Sequence, residues 1–253
     1  MRSKIFTVVV FILFSSITMS AQENLKSARV KFVKLDKSPS YEKLEEIFSN
    51  KKILSYPINC VNWPERNNGY TPEASFKVIY SKTHLYIRYQ VKEKALRATF
   101  SSDEGCKPWT EDCMELFISP NPDSCQYFNI EMSCIGYGIV GKRTCSEDKE
   151  RLLKEELDKI VRFSTLGRKP FGDRVVSDDC PEKFYEWSMI IAIPLDILCG
   201  AKGYKLLKGK DIRANVYKCG DNMLKPHYLS WSPIGTPKPN FHTPEYFGVF
   251  HFE

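Results

Sequence analysis

Most of this chain alternates apolar and polar side chains with a period of two. "ASFKVIYS" places Phe76, Val78 and Tyr80 on one parity, and "HLYIRYQV" does the same with Leu85, Ile87, Tyr89 and Val91. Only three polar residues, Ser81-Lys82-Thr83, separate the two runs, so they are predicted to pair as a hairpin. "DCMELFIS", "YFNIEMSC", "EWSMIIAIP", "IRANVYKC" and "FGVFHF" continue the pattern, with turn residues between most of them. Strands with one apolar and one polar face belong in antiparallel sheets rather than in a doubly covered parallel sheet. The expected fold is therefore all-β, a jelly-roll-like antiparallel sandwich. Two stretches read as helical: "SYEKLEEIFSN", and "SEDKERLLKEELDKIV" with Ser146 as N-cap and a stripe of Leu153, Leu157 and Ile160. The second predicts a helical insertion near residues 146–162.

The first residues follow different rules. A basic start, "MRSK", precedes the apolar run "IFTVVVFILF" and the small residues "SSITMSA". This is the pattern of a secretory signal peptide, residues 1–21, with cleavage after Ala21. The run is too short for a strong membrane span, which needs about 20 apolar residues. Export to the periplasm or the extracellular space is expected. Residues 22–54 read as an N-terminal lead-in and residues 55–253 as one binding domain. Without Arg2 and Lys4 the formal charge of +6 falls to about +4, and acids and lysines are interspersed, so neither nucleic acid nor a membrane surface is the expected partner. Nine cysteines in an exported chain permit disulfides, but the odd number and the spacings define no pairing, and no Cys-x-x-Cys suggests zinc. No cofactor is called for.

"GYGIVG" at residues 136–141 matches a dinucleotide-binding fingerprint, but the strand before it carries Asn129, Glu131 and Ser133 on one face and the predicted helix starts too late. It is read as a glycine-rich strand end. "KPWTEDCMELFIS" carries more. Glu111, Cys113, Glu115 and Phe117 share one parity, opposite the core-facing Met114, Leu116 and Ile118. Glu115 then shares a face with Asn129 and Glu131 of the next strand, near Trp109. An aromatic ring beside fixed carboxylate and amide groups suits a sugar, whose C–H face stacks while its hydroxyls find partners. The same residues also suit a core plug and a solvated strand face. Paired carboxylates leave a glycosidase open as the rival reading, although nothing in the sequence fixes their separation. A haem-carrying sandwich would need a pair such as Met223 with His227 or His242.

In order along the chain, "WTEDCMELFISP", "YFNIEMSCIGYG", "WSMIIAIPLDIL", "IRANVYKC", "HYLSWSP" and "PNFHTPEYFGVFHF" resemble exported proteins related to carbohydrate-binding module family 9. The W-x-x-D-x-x-E and F-H-x-P-E-x-F-G motifs together carry the likeness, which spans residues 55 to 253. It implies a jelly-roll sandwich that binds poly- or oligosaccharide without catalysis, in support of carbohydrate catabolism, with a terminal sugar held between two tryptophans. Trp109 matches the first by its motif, and Trp231 in "LSWSP" is the candidate for the second, held by the surrounding prolines. Glu115 matches the family's sugar-binding glutamate, and Asn129 falls where an amide side chain is expected. Arg143 and Arg213 are the candidates for a basic sugar contact. Family members bind structural calcium, but no clear calcium loop is present here.

Overall fold

A computed structural model describes residues 25–35, 39–121, 124–144 and 149–253. The proposed signal peptide lies outside them. The strands in chain order are β1 (Ser27–Phe32), β2 (Tyr56–Pro57), β3 (Glu73–Tyr80), β4 (His84–Glu93), β5 (Ala95–Ala98), β6 (Cys113–Ser119), β7 (Tyr127–Ser133) and β8 (Gly138–Arg143). They continue as β9 (Lys149–Arg151), β10 (Val161–Ser164), β11 (Phe171–Val175), β12 (Tyr185–Pro194), β13 (Asp211–Gly220), β14 (His227–Ser230) and β15 (Gly248–Phe252).

One sheet runs β10-β12-β4-β3-β1 and the other β15-β13-β6-β7-β8-β9. Strand β1 joins them: Ser27 to Val30 pair in parallel with β15, and Lys31 and Phe32 pair in parallel with β3. The predicted hairpin is β3–β4, in register from Glu73↔Lys92 to Tyr80↔Leu85. The sandwich core is built from the parities the alternation assigns. Phe76, Val78, Ile87, Tyr89 and Val91 of one sheet meet Met114, Leu116, Ile118, Ile130 and Val216 of the other.

Two sequence expectations are corrected. Residues 22–54 are no mere lead-in, because β1 is central to the fold. Helix α1 (Tyr41–Ser49), capped by Ser40, also buries Leu44 and Phe48 on the outer face of the first sheet against Ile79, Tyr86 and Ile190. The helical insertion is one turn only, α2 (Lys154–Leu157), and Ser146 lies outside the described residues. The flanking residues extend instead, β9 onto β8 and β10 onto β12. Both sheets offer an open edge there, whose unpaired N–H and C=O groups are met by these short strands. Leu157 and Ile160 still enter the core, while Leu153 is 68% exposed. A last short helix, α3 (Leu195–Cys199), follows β12. Among the described residues no helix is long and apolar enough to cross a membrane.

Candidate functional site

The outer face of the second sheet carries a pocket of about 360 Å³. Its floor comes from residues of one parity, Glu115 and Phe117 of β6, Asn129 and Glu131 of β7, Gly141 of β8 and Cys219 of β13, with Arg143 of β8 at the rim. Trp109, Asp221 and Tyr228 form one wall, and Asn240, Phe241 and His242 from the C-terminal loop form another. Of the predicted site residues, the structure brings Trp109, Glu115, Asn129 and Arg143 together here.

Trp109 stands on a 3-10 turn opened by the buried Pro108. Its carbonyl accepts the Asp221 N–H at 2.9 Å, which ties that turn to the β13–β14 connection. Trp63, Trp187 and Trp231 are buried, so Trp109 is the tryptophan of this chain that reaches solvent. Register places Glu115 directly opposite Glu131. Asn129 Nδ2 donates to Glu131 Oε1 at 2.6 Å, while Asn129 Oδ1 is buried without a hydrogen-bond partner. Gly141 makes this possible: a Cβ there would stand 2.3 Å from Asn129 Oδ1. The glycine-rich "GYGIVG" thus serves side-chain clearance across the strands.

The floor is short of positive charge. Burial and the facing Glu131 push the Glu115 carboxyl well above the usual range. Burial raises Glu131 to about 7, although Asn129, Arg143 and Arg151 pull the other way. Asp221 rises to about 6 by burial, against a hydrogen bond from Tyr228. The loop wall is braced by side chains of the sheet. Phe241 stacks on Tyr217 with ring centres 4.2 Å apart, and the Tyr217 hydroxyl donates to the Phe241 carbonyl at 3.2 Å. His242 Nε2 lies 2.9 Å from Arg143 Nη2 and Nδ1 lies 3.1 Å from the Tyr127 hydroxyl. Arginine only donates, so Nε2 accepts and a neutral His242 carries its proton on Nδ1. Burial and Arg143 lower its pKa to about 4, consistent with that form.

Two expected site residues lie elsewhere. Trp231 is 1% exposed and belongs to the sandwich core, edge-on to Phe76 at 5.5 Å and beside Phe250 at 5.4 Å. The two-tryptophan clamp is therefore not formed. Leu229, two residues earlier and also in the core, shares the Trp231 parity and signals this from the sequence. Arg213 instead donates to the Glu245 carbonyl at 3.0 Å and fastens the turn Pro244–Tyr246 to β13. Sequence reasoning missed Asp221, Tyr228, Phe241 and His242 as lining residues. Phe241 and His242 open the F-H-x-P-E-x-F-G motif, and that was the available signal. The haem pairing fails on geometry, since His227 is occupied by Lys218 Nζ at 2.6 Å and only His242 lines the pocket.

A family model described as carbohydrate-binding family 9 matches residues 42–252. Among solved structures, a candidate carbohydrate-binding protein from Bacteroides uniformis ATCC 8492 is 33% identical, with a TM-score of 0.81 over 90% of this chain and 100% of that one. Two structures of a family 9 carbohydrate-binding module from Caldicellulosiruptor kristjanssonii share the fold. One, in complex with glucose, has a TM-score of 0.55 at 11% identity over 90% of this chain and 96% of that one. The other, in complex with cellotriose, has a TM-score of 0.51 at 13% identity over 89% and 94%. A comparison with curated proteins finds no match. On the family match and the 33% identical structure, this chain belongs to carbohydrate-binding family 9.

Proposed function

We propose that the protein binds poly- or oligosaccharide in the pocket at Trp109, without catalysis. The observation that carries this reading is the pairing of a partly exposed tryptophan with a buried, unpartnered amide oxygen. Trp109 offers a stacking face, and Asn129 Oδ1 is an acceptor awaiting a hydroxyl donor. Glu115, Glu131 and Asp221 add acceptors, and Arg143 and Arg151 add donors at the rim. Phe241, held by Tyr217, takes the place expected of Trp231 as the second aromatic surface. Because Phe241 and His242 are already fixed, little ordering entropy is lost when a sugar enters. The family membership supports the reading, as do the glucose and cellotriose bound by fold relatives. With the expected signal peptide, the protein would act outside the cytoplasm in carbohydrate catabolism.

A glycosidase reading has one observation in its favour. Glu115 and Glu131 are cross-strand partners, a placement that sets Cβ atoms about 4.5–5.5 Å apart, and both carboxyls are raised. A panel of soluble oligosaccharides, beginning with glucose and cellotriose, separates the two. Calorimetric binding with no new reducing ends after long incubation is the expected result. Hydrolysis abolished by Glu115→Gln would make the protein an enzyme, and no binding to any panel member would refute the proposal.

A further inference from the structure

Three groups in and just beneath the pocket floor converge closely. Register sets Cys113 directly opposite Cys219, and Glu115 follows Cys113 on the same face of β6. Cys219 Sγ is 3.1 Å from Glu115 Oε1, Cys113 Sγ is 3.9 Å from the same oxygen, and all three atoms lie within 4.8 Å of one another. A tetrahedral zinc ion, with Zn–S of about 2.3 Å and Zn–O of about 2.0–2.2 Å, holds its ligand atoms roughly 3.3–3.8 Å apart. The three atoms therefore need only small shifts. Cys219 and Glu115 both line the pocket, so a fourth position would face the cavity.

We propose that Cys113 Sγ, Cys219 Sγ and Glu115 Oε1 form a three-ligand site for a soft divalent cation, zinc foremost, with the fourth position open to the pocket. Two thiolates select a soft metal over calcium or magnesium. Among the described residues no Lys, Arg or His forms an ion pair with Glu115 or Glu131, so the cation would supply the charge this floor lacks. A second cluster, Glu93, Asp112 and His227, shows the contrast. There the ammonium of Lys218 already stands 2.7 Å from Asp112 Oδ1 and 2.6 Å from His227 Nε2, which leaves no place for a metal. Glu131, held by Asn129, lies across from the ligand Glu115 and would orient it. Binding involves no redox change. The metal replaces the two thiol protons, which pass to solvent, together with a third from Glu115 when that carboxyl is protonated; affinity should thus rise with pH. The site stands whether or not the pocket takes a saccharide.

The test uses the full chain, purified with reductant and chelator and then freed of both. Titration with cobalt(II) should give thiolate-to-cobalt charge-transfer absorption saturating at a single ion per chain, bleached by zinc. Cys113→Ser and Cys219→Ser should each lose that absorption. Glu115→Gln, which keeps both thiols, should weaken cobalt binding by more than the ~10-fold cost of an outer-shell change. Three results would overturn the site: no charge-transfer absorption in the parent chain, absorption unaltered in both serine variants, or a Cys113–Cys219 disulfide in the chain isolated without reductant.

Discussion

Neighbouring residues of β6 and β13 build two buried polar clusters on opposite faces of one sheet, with opposite logic. On the core face, Lys218 reaches Asp112 Oδ1 at 2.7 Å, Glu93 Oε2 at 3.1 Å and His227 Nε2 at 2.6 Å, and Trp187 Nε1 donates to Glu93 Oε1 at 2.5 Å. Burial opposes the Lys218 charge, but Asp112 and Glu93 more than offset it and raise its pKa. On the pocket face, one residue further along each strand, Cys113 and Cys219 join Glu115 and Glu131, and no protein cation pairs with those carboxylates among the described residues. The core cluster is closed within the protein. The pocket cluster has no cation on its carboxylates and leaves Asn129 Oδ1 without a hydrogen-bond partner, which is the condition of a site awaiting a ligand.

Breaking the closed cluster should have the largest effect. Lys218→Met leaves Asp112 and Glu93 buried without their cation and should destabilise the fold by about 3–5 kcal/mol, read as a lower urea midpoint. A loss below about 1 kcal/mol would mean that the cluster contributes little. The pocket face should respond in the opposite direction. The folded state raises the Glu131 pKa from 4.5 to about 7, so it holds a proton that the unfolded chain releases. Stability must therefore fall as pH rises through that window. Glu131→Gln should flatten the decline and add about 1–3 kcal/mol at pH 8. An unchanged pH profile would show that Glu131 carries no such strain. A smaller effect is expected from Gly141→Ala, whose methyl displaces the Asn129 side chain at a cost of about 1 kcal/mol and weakens saccharide binding.

The closed face was easier to read from sequence than the open one. Alternation placed Met114, Leu116 and Ile118 in the core because burial enforces parity along a strand, and the family motifs located Trp109 and Glu115. The motif W-x-x-D-x-x-E in fact serves both faces, with Asp112 on Lys218 and Glu115 in the pocket. What could not be read depends on long-range pairing. The 149–164 segment has helical composition, yet two open sheet edges draw both of its ends into strands. Trp231 sits beside prolines in a loop-like sequence, yet its parity with Leu229 carries it inward. Tyr217, which fixes Phe241 in the pocket wall, lies on a strand 24 residues away.

The central claim is that Trp109 serves the ligand and Trp231 serves the core. Parallel calorimetry and urea unfolding of Trp109→Ala and Trp231→Ala, using the tightest-binding saccharide of the panel, test it most directly. Trp109→Ala should lose at least about tenfold in affinity, or about 1.4 kcal/mol, while stability falls by less than about 1.5 kcal/mol. Trp231→Ala should lose about 3–5 kcal/mol of stability. A Trp109→Ala protein that binds as tightly as the parent, or a Trp231→Ala protein that keeps its stability and loses the sugar, would contradict the account.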